Sequence, residues 1–188
     1  GFEEYVDYLI KFLEHMGPGA HVVAVCQPCV QSMVATAVMS EAKNPATPRS
    51  LTLMAGPIDC RINPTSVNKL ATDHPIEWFQ SNLISTVPFP LPGWGRRVYP
   101  GFMQLAAFVS MNPERHLDAH KNLFRHLVEG DDDEAEKIKT FYDEYFAVLD
   151  LTEEFYLETV AWVFQEMRLP LGRLKHHGKV VDCSKITR

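Results

Sequence analysis

At 188 residues the chain is long enough for one hydrophobic core and short for two. It is 46% apolar and 22% charged, with a formal net charge of −6. Arg96-Arg97 and the terminal "LKHHGK" are too short to form a basic stripe, so nucleic acid is excluded as a partner. No apolar run approaches the ~18 residues that span a bilayer, and Glu3 and Glu4 stand where a signal peptide would carry basic residues.

In chain order, "FEEYVDYLIKFLEHM" places Phe2, Tyr5, Val6, Leu9, Phe12, Leu13 and Met16 at helical spacing. The spacing predicts an amphipathic helix over 2–16, stopped by Gly17-Pro18-Gly19. Val22 to Val25 read as a short strand, Cys26-Gln27-Pro28-Cys29 as a turn, and 29–42 as a helix. "NPATPRS" is a loop and "LTLMAG" (51–56) a second buried strand. Helix, strand, helix, strand with short links implies a parallel sheet with crossover helices.

From about 62 to 170 no strand is expected. Pro88, Pro90, Pro92 and Pro100, with Gly93, Gly95 and Gly101, mark 87–102 as loop. A helix opens at Asn112-Pro113 and stops at Gly130. "DDDEAE" puts acids at the start of the next helix, where the dipole favours them. Glu153 and Glu154 open a third that ends before Pro170, and "HHGKVVDCSKITR" reads as a turn toward another strand. The expected division is a core segment over 1–61, an all-helical block over 62–170, and a return toward the core over 171–188.

Two machines fit a strand that breaks at cysteine and continues as a helix. One is a thiol–disulfide oxidoreductase using Cys26 and Cys29, the helix start favouring the first thiolate. The other is a nucleophile elbow with cysteine in place of serine. Aligned on Cys26, the pentapeptide is Ala24-Val25-Cys26-Gln27-Pro28. Ala24 is small enough for the turn to close, and Pro28 suits a first helical turn. The N–H of Gln27 is then the oxyanion donor. Cys29 is the candidate redox partner in the first machine, and in the second a buried packing residue or an oxidation-sensitive neighbour.

Cys26, Cys29, Cys60 and Cys183 give one C-x2-C pair and no second pair, so no metal site and no cofactor are expected, and free thiols suit a reducing cytoplasm. In "HLDAH", His116 and His120 share a helix face, but Leu117 stands where a zinc protease carries glutamate. His15, His21, His74, His176 and His177 show no local partner pattern. Asp59 reads as a turn cap, and "DDDEAE" lacks the alternating spacing of a calcium loop. Phe89, Trp94, Tyr99 and Phe102 are assigned to the core of the helical block, the alternative being an exposed surface that docks an apolar substrate.

The segments "VVAVCQP", "AGPIDCRINPTSVNKLA", "VPFPLPGWGRRVYPGFMQLAAFVSMNPERH", "AHKNLFRHLVEGD", "FYDEYFAVLDLTEEFYLETVAWVFQE" and "LPLGRLKHHGKVVD" resemble the intracellular polyhydroxyalkanoate (poly-3-hydroxybutyrate) depolymerases over essentially the whole chain. The resemblance implies an α/β fold: a partial α/β-hydrolase sheet with an inserted helical cap. It implies Cys26 as nucleophile in the lipase-box position. It implies a triad acid and histidine beyond the cap, so the chain is expected to be an internal segment that lacks both and is inactive alone. The related polyhydroxyalkanoate synthases keep glycine where Pro28 stands, which favours the depolymerase side. The implied partner is a polyester granule or an oligomeric hydroxyalkanoate ester, at cytoplasmic granules. The alternatives are the oxidoreductase and a non-catalytic granule-binding protein.

Overall fold

In the computed structural model, which describes residues 1–187, the elements run in the order α1 (Phe2–Met16), β1 (His21–Val25), α2 (Pro28–Glu41), β2 (Ser50–Met54), α3 (Ser66–Asp73), α4 (Ile76–Leu83), β3 (Ser85–Thr86), β4 (Arg97–Tyr99), α5 (Gly101–Met111), α6 (Pro113–Glu129), α7 (Asp132–Phe146), β5 (Leu151–Thr152) and α8 (Glu153–Thr159). A π-helical turn (Val160–Gln165), β6 (Lys175–His176), β7 (Lys179–Val180) and a 3₁₀ turn (Cys183–Lys185) follow. They form two compact units: residues 1–81 with the chain from Glu154 onward, and residues 82–153.

In the first unit β1 and β2 pair in parallel, Val22 beside Leu51 and Ala24 beside Leu53. Helix α1 packs on α2 through Phe2, Val6 and Leu13. Its apolar stripe is narrower than its sequence: Phe12 and Met16 are exposed. At 100° per residue Phe12 points about 120° away from Val6, whereas Phe2 and Leu13 stay within about 40° of it. The core joins Phe2, Val6, Val30, Val34, Val163 and Leu174, with Phe2 against the Trp162 ring at 5.6 Å. The strands are also less buried than expected. Ala24 faces the core, while Val23, Val25 and Met54 are exposed on the opposite face, because strand side chains alternate and the helices cover one side. Gln31 is fully buried in α2, and neither atom of its side-chain amide has a hydrogen-bond partner among the described residues.

The chain from Glu154 belongs to this unit because the Gln165 amide, in the π-helical turn, donates to the carbonyls of Ala71 and His74 at 2.8 and 2.9 Å, tying that turn to α3. Residues 62–81 and 154–170 thus pack with the core segment, and the separate block is narrower than 62–170. The expected turn at 176–178 is a two-residue hairpin between β6 and β7, with positive φ at His177 (47°) and Gly178 (79°), the pattern whose twist suits antiparallel strands.

Residues 82–153 are not all helical. Strands β3, β4 and β5 form an antiparallel sheet, Ser85 beside Val98 and Val98 beside Thr152. Strands of two and three residues carry no readable period, so the sequence pattern passes over them. Pro113 opens α6 as expected, and Gly130 closes it at φ 75°, but the Asn112 side chain does not cap the helix. The Asp131 carboxylate does cap α7, accepting from the Glu134 N–H. The Asp150 carboxylate accepts from Gly101 N–H at 2.7 Å and so anchors α5. Among the described residues no helix is long and apolar enough to cross a membrane.

Candidate functional site

Strand β1 ends at Val25, α2 begins at Pro28, and between them Cys26 takes a left-handed φ of 64°. A side chain bearing a Cβ pays for that conformation, and here two bonds impose it. The Cys26 N–H donates to Met54 O at 2.8 Å, extending the ladder to β2, and its carbonyl accepts from Cys29 N–H at 3.1 Å. The consequence is an exposed thiol at the tip of a strand-to-helix turn. Gln27 is the N-cap of α2, in helical conformation, and Pro28 opens the helix. Proline costs nothing there, since first-turn N–H groups lack intrahelical partners. No backbone carbonyl occupies the Gln27 N–H among the described residues. Its side chain reaches back into the unit, donating to the hydroxyl of buried Thr159 at 3.2 Å.

Cys29 faces the other way. It is buried, and its thiol donates to Ala24 O at 3.2 Å and lies 3.5 Å from Met54 O. The chain leaving β2 presses on it: a Cβ on Gly56 would lie 2.2 Å from Cys29 Cβ, 2.4 Å from its Sγ and 2.9 Å from Cys26 O. Gly56 is therefore part of the turn, permitting an approach no other residue allows. The sequence pattern places Gly56 at the end of the strand expected over 51–56, whereas β2 ends at Met54, and it carries no signal of what the glycine lies against.

Asp59 is held in a loop by Arg61, whose backbone N–H and guanidinium both donate to it, and these bonds lower its carboxyl to about 2. It is a turn cap, as expected. Burial pushes the thiols of Cys60 and Cys183 up from their ordinary value.

The histidines lie in other contacts. His21 bonds Ser50, His116 bonds Tyr142, His120 bonds the His116 carbonyl, His126 bonds Asp131, and His74 stacks on Trp78. His176 and His177 both meet Asp7, on α1. Burial would raise the Asp7 carboxyl, but hydrogen bonds and charge from the two imidazoles outweigh it and hold the group below its ordinary value. Among the described residues no histidine bonds the Cys26 thiol.

In the unit of residues 82–153 a cavity of about 490 Å³ is lined by Phe108, Met111, His116, Phe141, Tyr142 and Tyr145, among others. Of the four aromatics assigned to the core here, Tyr99 is buried, whereas Phe89, Trp94 and Phe102 are exposed. Phe89 and Trp94 meet edge to face at 5.7 Å and lie outside any core. The loop turns at Gly93 and Gly95, on either side of Trp94, with positive φ.

No curated protein and no solved structure matches the chain. The family model described as PHB de-polymerase C-terminus matches residues 55–188, a range that includes Gly56 and leaves out the Cys26 turn. With more than two thirds of its length so matched, the chain belongs to the PHB de-polymerase C-terminus family.

Proposed function

We propose that the chain serves the breakdown of a polyhydroxyalkanoate polyester, poly-3-hydroxybutyrate being the substrate its family's description names, and that Cys26 is the nucleophile of an α/β-hydrolase-type elbow. The observation that carries this is the left-handed Cys26 between β1 and the Pro28-led helix, the strained strand-to-helix turn on which such enzymes present a nucleophile. In this reading the Cys26 thiolate attacks the ester carbonyl, and the oxyanion is received by the Gln27 N–H, which no backbone carbonyl occupies among the described residues. Collapse forms a thioester on Cys26 and releases the chain-end alcohol, which takes up the proton the thiol gave away. Water then cleaves the thioester to the hydroxy acid. In this reading the proton acceptor is a histidine other than the eight of this chain, none of which bonds the Cys26 thiol among the described residues, and the 188-residue chain alone is expected to turn over no polyester. Inward-bonded Cys29 supports a packing role over a redox one.

A second reading, a polyester-binding role without catalysis, is favoured by exposed Phe89, Trp94 and Phe102. The experiment that separates the two uses an activated ester of a 3-hydroxybutyrate oligomer, whose leaving group departs without acid assistance. Incubation with the chain followed by peptide mass spectrometry is expected to find the acyl group on Cys26, and none in Cys26→Ala. Acylation confined to Cys60 or Cys183, or absent altogether, sinks the nucleophile assignment and leaves the binding role.

A further inference from the structure

The geometry points to a binding site for a first-row divalent transition metal, Zn²⁺ by preference, formed by Asp7, His176 and His177. It lies outside the Cys26 turn and stands independently of the proposed activity. Asp7 projects from the middle of α1, and the two histidines come from the β6–β7 hairpin about 170 positions later in the chain. The His176 Nε2 lies 2.9 Å from Asp7 Oδ1, and the His177 Nε2 lies 3.0 and 2.9 Å from the two carboxylate oxygens. The imidazole centroids are 4.2 Å apart, and one ligand atom from each residue falls within 4.8 Å of the others.

Those separations are near what a metal needs. With metal–ligand bonds of about 2.0–2.1 Å, tetrahedral ligand atoms stand about 3.3 Å apart, so a cation entering between Asp7 and the rings would spread them by a few tenths of an ångström. Neutral imidazole binds through a nitrogen lone pair. Each ring would carry its proton on Nδ1 and turn the Nε2 lone pair, in place of an N–H, toward the carboxylate side. Two imidazoles and one carboxylate, with a position open to water, are a donor set that suits zinc and its neighbours.

Two features orient the set. The Glu3 carboxylate lies 3.6 Å from His177 Nδ1 and also accepts from the His177 backbone N–H at 3.1 Å. It thus anchors the His177 backbone and places negative charge behind the ring, at a distance beyond a hydrogen bond to Nδ1. The left-handed backbone at His177, φ 47°, is set by the hairpin, and it is this turn that lets adjacent residues, whose side chains would alternate along a strand, converge on one carboxylate. His176 is buried and its ring is held by packing. A bound cation would clasp the hairpin to α1.

The test is titration of the 188-residue chain with Zn²⁺ by calorimetry, and with Co²⁺ read by its visible spectrum. The expected result is one equivalent bound, a d–d band without the near-ultraviolet absorption of cobalt–thiolate bonds, and a raised melting temperature. Asp7→Asn, His176→Ala and His177→Asn are each expected to weaken binding about tenfold or more, while His21→Ala leaves it unchanged. If His176→Ala fails to fold, His177→Asn carries the test, since His177 is exposed and asparagine tolerates its left-handed backbone. No binding, equal binding in Asp7→Asn and His177→Asn, or a thiolate spectrum assigning the ion to the cysteines would each overturn the site.

Discussion

Helix α2 buries nine of its 14 residues, whereas α6, with 17, buries none. Composition is part of the difference, since α2 is small or apolar at most positions while α6 sets charged residues and histidines between its apolar ones; what surrounds the two helices is the rest. In the first unit, α2 lies between a parallel strand pair and α1, and its small residues Ser32, Ala35, Thr36 and Ala37 let those neighbours close around it. In the unit of residues 82–153, α6 packs on α7 along one seam, where His116 bonds Tyr142 at 2.9 Å, and Leu117, Phe124, Leu127 and Val128 remain open. Close packing on all sides can hold a residue in a costly backbone conformation, and Cys26 is such a residue. A helix pair with open flanks cannot do that, but it can offer apolar surface to something else. Side-chain changes should therefore be felt as geometry and stability in the first unit, and as surface behaviour in the second.

The sharpest break of that contrast is Cys26→Ala, which removes the proposed nucleophile without touching the fold. Acylation by the activated ester at this position is expected to vanish with an unchanged melting curve, and in an enzyme that supplies the base, ester hydrolysis should fall by a factor on the order of 10⁴. Next is Gly56→Ala. Its new methyl would sit against Cys29 Cβ and the Cys26 carbonyl, so a loss of about 1–3 kcal/mol is expected from overpacking, measured by denaturant unfolding. Adding Cys29→Ala should not restore it, because the Cys29 Cβ remains; full restoration would mean the crowding lies at the sulfur alone.

In the second unit, Phe89→Ser with Trp94→Ser should leave the unfolding midpoint in place. It should weaken adsorption to poly-3-hydroxybutyrate particles about tenfold, the equivalent of ~1.4 kcal/mol of lost apolar contact. Unchanged adsorption would mean that the exposed rings serve no polyester. Alkylation separates the four thiols. Exposed Cys26 should react first and buried Cys29 last. Since burial raises the thiols of Cys60 and Cys183, less thiolate is present at any given pH, and their labelling should set in at higher pH than that of an exposed cysteine peptide. The smallest effect is expected from Gln31→Met, which exchanges a buried amide without a hydrogen-bond partner among the described residues for an apolar side chain of similar length. It should be neutral or stabilising by up to about 1 kcal/mol, and a loss above that would show the amide to be engaged.

Local chemistry was legible in the chain itself. The Gly17 stop of α1, Pro28 at the head of α2, Gly130 at the end of α6 and the acid-led start of α7 follow from backbone preferences that reside in one or two residues, and the strand–turn–helix around Cys26 follows from an apolar run meeting proline. Tertiary structure alone decided the rest. The strands β3 to β5 are too short to carry a period, and pairing defines them. The outward course of Phe89 and Trp94 depends on how the loop between them turns, and hydrophobicity does not encode that direction. Gly56 matters because Cys29 is pressed against it, a distance no local pattern holds. His176 and His177 showed no partner within their own segment because their partner, Asp7, stands about 170 positions earlier on α1; such a contact exists only once helix and hairpin have been brought together by the core between them.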